Sequence, residues 1–236
     1  KTGHGDDTIT SGSGDDRIDA GNGTNHITDS GGRNMIKTGT GNDTVLSGAG
    51  DDRIDTKEGD DFVSAGDGRN AIKTGSGDDT ITSGNGADRI DGGIGNDSID
   101  GGDGANQLKG GHGNDWIQSG VGVDSIYGGD GDDTISAGGG NDKIYSGKDN
   151  DVINAGAGDD RVMADTGNDT IDGGAGDDQL DGGTGDDVLI GGDGADILKG
   201  GTGSDVFVFN SLSEVGDTIK DFSLNQLDKL DVSGLL

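Results

Sequence analysis

An apolar side chain stands at every ninth position from Ile9 to Phe207, through Ile18, Ile27, Ile36, Val45 and on to Ile171, Leu180, Leu189 and Leu198, giving 23 repeats without one insertion. Two residues before each comes Asp, as in Asp7, Asp16, Asp43 and Asp52, or Asn at Asn25, Asn34, Asn70 and Asn106. Two residues earlier again comes Gly, failing only at Asp149, and a further Gly precedes that one, failing only at Ser30, Lys57 and Asp165. The unit therefore reads [G/A/S/T]-G-x-G-x-D-x-U-x, with U apolar. Its glycines permit the left-handed and tight conformations of a turn. The x-U-x triplet, rich in Ile and Val, predicts a three-residue strand with U inward and both neighbours outward. The first Gly is often Ser, Thr or Ala in residues 1–90, which would leave that backbone position less free there.

This nonapeptide resembles the calcium-binding repeat of RTX proteins, and the resemblance covers residues 2–208. It implies two repeats per coil of 18 residues and an all-β fold: a right-handed parallel β-roll, a solenoid with two short parallel sheets. Sheet one would stack Ile9, Ile27, Val45 through Phe207, and sheet two Ile18, Ile36, Ile54 through Leu198. Each calcium ion would lie between loops of successive coils, held by Asp side chains and loop carbonyls. The implied side-chain ligands are Asp7, Asp16, Asp43, Asp52, Asp61, Asp79, Asp88, Asp97, Asp115 and Asp124, continuing with Asp133, Asp142, Asp151, Asp160, Asp169, Asp178, Asp187, Asp196 and Asp205. Carbonyl donors would include those of Gly174, Gly176, Gly183, Gly185, Gly192 and Gly194.

Composition alone would place the chain near the disordered class, with 26% hydrophobic and 3% aromatic residues, 54 glycines and a net charge of -31. The unbroken register overrides that average. One apolar side chain per nonapeptide is a thin core against chain entropy, so an outside ligand must contribute. Carboxylates and bent backbone carbonyls are hard oxygen donors that suit Ca²⁺ better than the more demanding Mg²⁺.

The acidic excess argues against nucleic acid and against unaided binding to anionic membranes. Cysteine is absent, which excludes disulfides and thiolate metal sites. No stretch approaches the roughly 20 apolar residues of a membrane-spanning helix, and no N-terminal signal segment stands out. The chain opens inside the pattern and reads as a monomeric fragment of something longer. No enzyme is expected: His4, His26 and His112 have no fixed Ser or Cys partner, and His4 and His112 occupy variable loop positions. Phe62 and Trp116 should face outward on sheet one as isolated surface aromatics. Thr8, Thr10, Thr28, Thr80 and Thr82 share that face, but His26, Phe62, Asp100 and Trp116 interrupt any ice-binding array.

A 36-residue period overlies the first: residues 1–36, 37–72 and 73–108 each begin Lys-Thr-Gly and contain "DRID". On the outer face of sheet two the residue after U runs Asp19, Lys37, Asp55, Lys73, Asp91, Lys109, so opposite charges should neighbour one another where an 18-residue repeat would stack like charges. Tyr127 and Tyr145 continue the row as a surface pair. Asn34, Asn70 and Asn106 alternate with Asp along one edge, so each site there loses a carboxylate. Arg33 and Arg69, in "GRN" loops, are candidates to replace the ion, with Arg33 between Asp15 and Asp51; the plainer reading points both into solvent.

The register ends after Asp205, dividing a β-roll at 1–209, its 36-residue superrepeat in 1–108, from a cap at 210–236. Phe209, Ile219, Phe222, Leu227, Leu230 and Val232 are the expected cap residues, covering a strand edge that would otherwise invite aggregation. "GSDVFVFN", "DTIKDF" and "LDKLDVSGLL" resemble the C-terminal target region of type I-secreted RTX proteins, most of all that of giant adhesins. The resemblance implies extracellular or bacterial cell-surface location, calcium-dependent folding, and recognition of the C-terminal segment by type I secretion machinery. Two alternatives stay open: the accessory domain of a secreted hydrolase, protease, epimerase or toxin, and a face that binds glycan, partner or ice directly.

Overall fold

Each x-U-x triplet forms a parallel strand, and the strand eighteen residues on pairs with it in register, as in Ile81↔Ile99 and Leu180↔Leu198. The computed structural model describes residues 2–211 and 216–235, and among these there is no α-helix, only a 3-10 turn at Ser233–Leu235. Two compact units, 1–120 and 121–236, are both parallel β-solenoids of 18-residue coils.

In the first unit one sheet runs from Thr8–Thr10 to Trp116–Gln118 and the other from Arg17–Asp19 to Gln107–His112. Ile27, Val45, Ile81 and Ile117 stack inward from the first sheet and Ile36, Ile54, Ile90 and Leu108 from the second, all essentially buried. In the second unit the sheets run from Thr134–Ser136 to Lys229–Asp231 and from Ser125–Asp130 to Thr218–Ile219. Ile135, Ile153, Ile171, Leu189 and Phe207 face Ile126, Ile144, Val162, Leu180 and Leu198 across the interior.

Two features differ from the three-residue strands expected. Many strands run six residues, for example Arg53–Glu58 and Gln179–Thr184, because the ladder resumes at the second Gly and the residue after it, as in Gly183↔Gly201 and Thr184↔Thr202. The first position of the repeat lies two residues beyond U and so points inward as well. Ala20, Ala65, Ala137, Ala155 and Ala164 there are fully buried, giving the interior a second row of small side chains. That position needs no left-handed backbone, since Gly92, Gly110, Gly173 and Gly182 all lie outside that region. Ser, Thr and Ala are therefore admitted there without backbone strain.

Most second and fourth positions do need it, Gly3, Gly12, Gly14, Gly39, Gly84 and Gly120 being the glycines that do not. Gly174 has φ +97° and Gly176 φ +133°, and a Cβ on either would collide with the carbonyl of Gly156 or Gly158 one coil back. Three of the four sequence exceptions keep the left-handed backbone with a side chain attached: Lys57 at +91°, Asp149 at +73° and Asp165 at +76°.

The C-terminal segment does more than cover an edge. Although the nonapeptide spacing is lost, Asp217-Thr218-Ile219 and Asp228-Lys229-Leu230 repeat D-x-U, and their strands pair with Ile197–Thr202 and Val206–Val208. Phe222 packs tilted against Phe207, with centroids 6.2 Å apart. Ile219 and Phe209 are partly buried, whereas Leu227, Leu230 and Val232 remain largely exposed. The expected outward positions hold for Phe62, Trp116, His4 and His112, and Tyr127 and Tyr145 stack with ring centroids 5.2 Å apart and planes 6° off parallel.

Candidate calcium sites

The Asp of each repeat sits at the end of the Gly-rich loop, directly before the strand, and its carboxylate turns back into the loop. One oxygen is satisfied along the stack. Asp61 N–H donates to Asp79 Oδ1 at 2.8 Å, Asp79 N–H to Asp97 Oδ1 at 2.9 Å, and in the second unit Asp151 N–H to Asp169 Oδ1 at 2.8 Å and Asp169 N–H to Asp187 Oδ1 at 2.9 Å. On the opposite edge Asp142, Asp160 and Asp178 form the same relay, which ends with Asp196 N–H donating to Asp217 Oδ1 at 3.0 Å.

The other oxygen has no protein partner. Oδ2 of Asp43, Asp61, Asp79, Asp97, Asp142, Asp151, Asp160, Asp169, Asp178 and Asp187 is buried without a hydrogen bond. Where the first position of the repeat is glycine, this oxygen faces it: a Cβ on Gly173 would lie 2.5 Å from Asp178 Oδ2 and 2.6 Å from Gly191 O, and one on Gly92 or Gly182 would lie closer still to Oδ2 of Asp97 or Asp187. The absent side chain thus leaves a cradle between a carboxylate oxygen and the main-chain carbonyl one coil on. Among the described residues no three His, Cys, Asp or Glu side chains converge on one point, so backbone oxygens must complete any coordination shell. A buried anionic oxygen beside carbonyls, repeated coil after coil, fits Ca²⁺ and its tolerance of mixed oxygen ligands.

The electrostatics point the same way. Burial raises the carboxyls of Asp97, Asp142, Asp169 and Asp178 to about 7 and those of Asp61, Asp115, Asp151 and Asp187 to about 6, opposed by the N–H donor from the preceding coil. Neighbouring carboxylates in the stack add repulsion at Asp97, Asp142, Asp169 and Asp178. Between pH ~4 and ~7 the metal-free folded state therefore holds protons that the unfolded chain has released, so its stability falls as pH rises through the raised values. In chelator, the chain is expected to gain β-sheet circular dichroism signal when pH drops from 8 to 5. Calcium should reverse the trend, because it binds the ionised form. A chelated chain with equal or greater signal at pH 8 would refute this.

The asparagine loops solve the problem without an ion. Asn25 Nδ2 donates to Gly21 O, Gly23 O and Asp43 Oδ1 at 3.2, 2.9 and 2.9 Å, and Asn106 Nδ2 to Gly101 O and Gly102 O at 3.2 and 3.0 Å. The amide occupies the loop carbonyls that a cation would take. At Asn34 the missing carboxylate is also restored by Asp29, buried at the first position of the same repeat, whose Oδ1 accepts from Asn34 Nδ2 at 3.1 Å while Oδ2 has no partner. Asp29 escapes a search for the Asp of the repeat because it stands five residues early. Arg33 Nη2 meets Asp15 Oδ2 at 3.2 Å, but both side chains are more than 60% exposed on the outside of the loop. Arg69 contributes its backbone N–H to Asp51 Oδ1 at 2.9 Å. It is Asn34 Nδ2 that lies in the buried position, bonded to Gly32 O and Ser47 O.

A hydroxyl at the first position takes a middle course. Ser83 Oγ donates to Asp88 Oδ2 at 2.6 Å, and Ser11 Oγ to Asp16 Oδ2. Two residues beyond the register belong with the site: Asp217, whose Oδ2 is buried without a partner, and Asp228, whose Oδ1 accepts from Asp205 N–H at 3.3 Å. Their signal was D-x-U at altered spacing.

A parallel solenoid of 18-residue coils, two nonapeptides to each, with buried Asp recurring along each edge defines a calcium-binding β-roll. The RTX calcium-binding nonapeptide repeat matches residues 2–27, 28–63 and 64–99 and then overlapping segments from 91–126 to 172–207, and the chain belongs to that family. No curated protein matches it.

Proposed function

We propose that the chain is the calcium-actuated folding module of a larger secreted RTX protein, most like a giant adhesin of bacterial surfaces and biofilms. Its export would run through type I machinery that engages the C-terminal segment. The observation that carries this reading is the recurrence of buried Asp Oδ2 atoms without protein partners, as at Asp43, Asp61, Asp79 and Asp97 and again at Asp142, Asp151, Asp160, Asp169, Asp178 and Asp187. A fold that leaves so many carboxylates unsatisfied is conditional on a cation. When bound, calcium supplies the charge and the bonds that those oxygens lack.

The consequence is a switch by mass action, since a ligand that binds only the folded state stabilises it according to its concentration. In calcium-poor cytosol the chain stays open enough to thread an exporter. Outside, where sites with dissociation constants of about 10⁻⁴ to 10⁻³ M fill, coils form and oppose backsliding. In this reading the module is non-catalytic and monomeric, and its acidic excess disfavours nucleic acid and anionic membranes.

The test is export of a reporter fused ahead of residues 1–236 in cells carrying a type I exporter. Export is expected to fall at least tenfold when residues 210–236 are removed, and protease-resistant reporter outside should require millimolar calcium. Undiminished export of the truncated fusion would remove the secretion role. Equal protease resistance in chelator would remove the calcium switch.

A further inference from the structure

The outer face of the second sheet in residues 17–109 carries two rows of side chains. The row after U is self-neutralising: Lys37 and Lys73 neighbour Asp55 in register, and Lys73 and Lys109 neighbour Asp91. Lys37 Nζ lies 3.9 Å from Asp55, Lys73 and Lys109 Nζ lie 3.8 and 3.9 Å from Asp91, and Lys57 adds a 2.6 Å contact to Asp55. The row before U is Arg17, Met35, Arg53, Ala71, Arg89, Gln107 and contains no acid.

Arg53 and Arg89 share a strand and a face with Asp55 and Asp91, yet those carboxylates are taken by lysines. No ion pair reaches Arg17 or Arg53 among the described residues, and Arg89 Nη1 donates to the neutral Gln107 Oε1. All three arginines are exposed. Of the ten Lys and Arg in residues 1–120, six lie in these two rows, so a chain of net charge -31 concentrates its positive charge on one face. The excess is a single file of three guanidiniums.

We propose that this file binds a linear acidic polysaccharide carrying one carboxylate or sulfate per disaccharide, laid along the direction in which the coils stack. The arginines recur every 36 residues, two coils, hence roughly 10 Å apart. That interval is close to the advance of one disaccharide in an extended β-linked chain. The planar guanidinium fork matches carboxylate and sulfate in a way that an ammonium does not. Between the arginines the side chains are uncharged, and around Ala71 a shallow groove opens, lined by Arg53, Lys73, Arg89 and Asp91 among others. A flat, narrow sugar chain can lie there between the acidic loop edges. A nucleic acid would need phosphate contacts at much closer intervals and would press on those edges.

The test uses the full chain folded in millimolar calcium, a fluorescently labelled hyaluronan oligosaccharide as probe, and anisotropy as readout. The triple variant Arg17→Gln/Arg53→Gln/Arg89→Gln should bind at least tenfold more weakly, with its calcium-induced circular dichroism unchanged. Arg17→Lys/Arg53→Lys/Arg89→Lys, which keeps the charge, should also lose affinity and carries the test if the glutamine variant folds poorly. Lys143→Gln/Arg161→Gln, in the other unit, should bind as the native chain does. The proposal is overturned if the native chain ignores hyaluronan, or if both triple variants bind it normally. Equal affinity for neutral dextran or single-stranded DNA would overturn it too, as would light scattering that shows the arginine face pairing copies of the chain.

Discussion

Transfer of the chain from millimolar calcium into chelator is expected to abolish most of its β-sheet circular dichroism signal. The reason lies in the number of stranded oxygens. Each buried polar atom without a partner costs about 1–3 kcal/mol, more when charged, and a domain is stable by only about 5–15 kcal/mol. Ten or more carboxylate oxygens in this condition exceed that margin on any reading of the range. Protonation relieves the cost only below the raised titration points near 6 and 7, so at pH 7.5 the metal-free roll has no remedy. Magnesium should restore little, since it prefers strict octahedral geometry and gives up water reluctantly. The titration should be cooperative, because one carboxylate relay crosses successive coils. A chelated chain that keeps its full β signal would show that the core and ladders suffice.

The second large effect is predicted for a single methyl group. Gly192→Ala should destabilise the calcium-bound fold by at least about 3 kcal/mol, since an alanine pays roughly 1–2 kcal/mol for the left-handed backbone and the rest for collision with fixed main chain. Gly192 has φ +100°, and its Cβ would strike the carbonyl of Gly174, with the carbonyl carbon 2.8 Å away. Gly14, at the same kind of loop in the first coils, has nothing within 4 Å of a built Cβ and lies outside the left-handed region. Gly14→Ala should therefore change stability by no more than about 0.5 kcal/mol. Urea midpoints at fixed calcium compare the two, and equal shifts would show that inter-coil contact is not what requires glycine.

Much of this was legible because the repeat is strictly periodic. Ile81 and Leu180 mark strands and their register, since eighteen-residue pairing follows from two repeats per coil. The charge alternation at Asp55, Lys73 and Asp91 was also visible, because residues after U share one face. Three things were hidden, each for a physical reason. Inward burial of the first position depends on the strand continuing past its triplet, which no glycine count reveals. The role of Asn25 and Asn106 depends on an amide that donates where a carboxylate cannot, so the loss of an acid is a substitution of donor for cation. Asp217 and Asp228 fell outside the pattern because their loops change length while the D-x-U contact is kept.

The carboxylate relay has a sense of direction. In the second unit Asp228 receives the N–H of Asp205, Asp205 that of Asp187, and Asp187 that of Asp169. At the loop tips a second relay runs the other way, Asp159, Asp177 and Asp186 accepting the N–H of Asp177, Ala195 and Ser204 in the coil that follows. The two faces of a coil are therefore matched, each presenting carboxylate oxygens and N–H groups, and a break between coils strands both kinds on both sides.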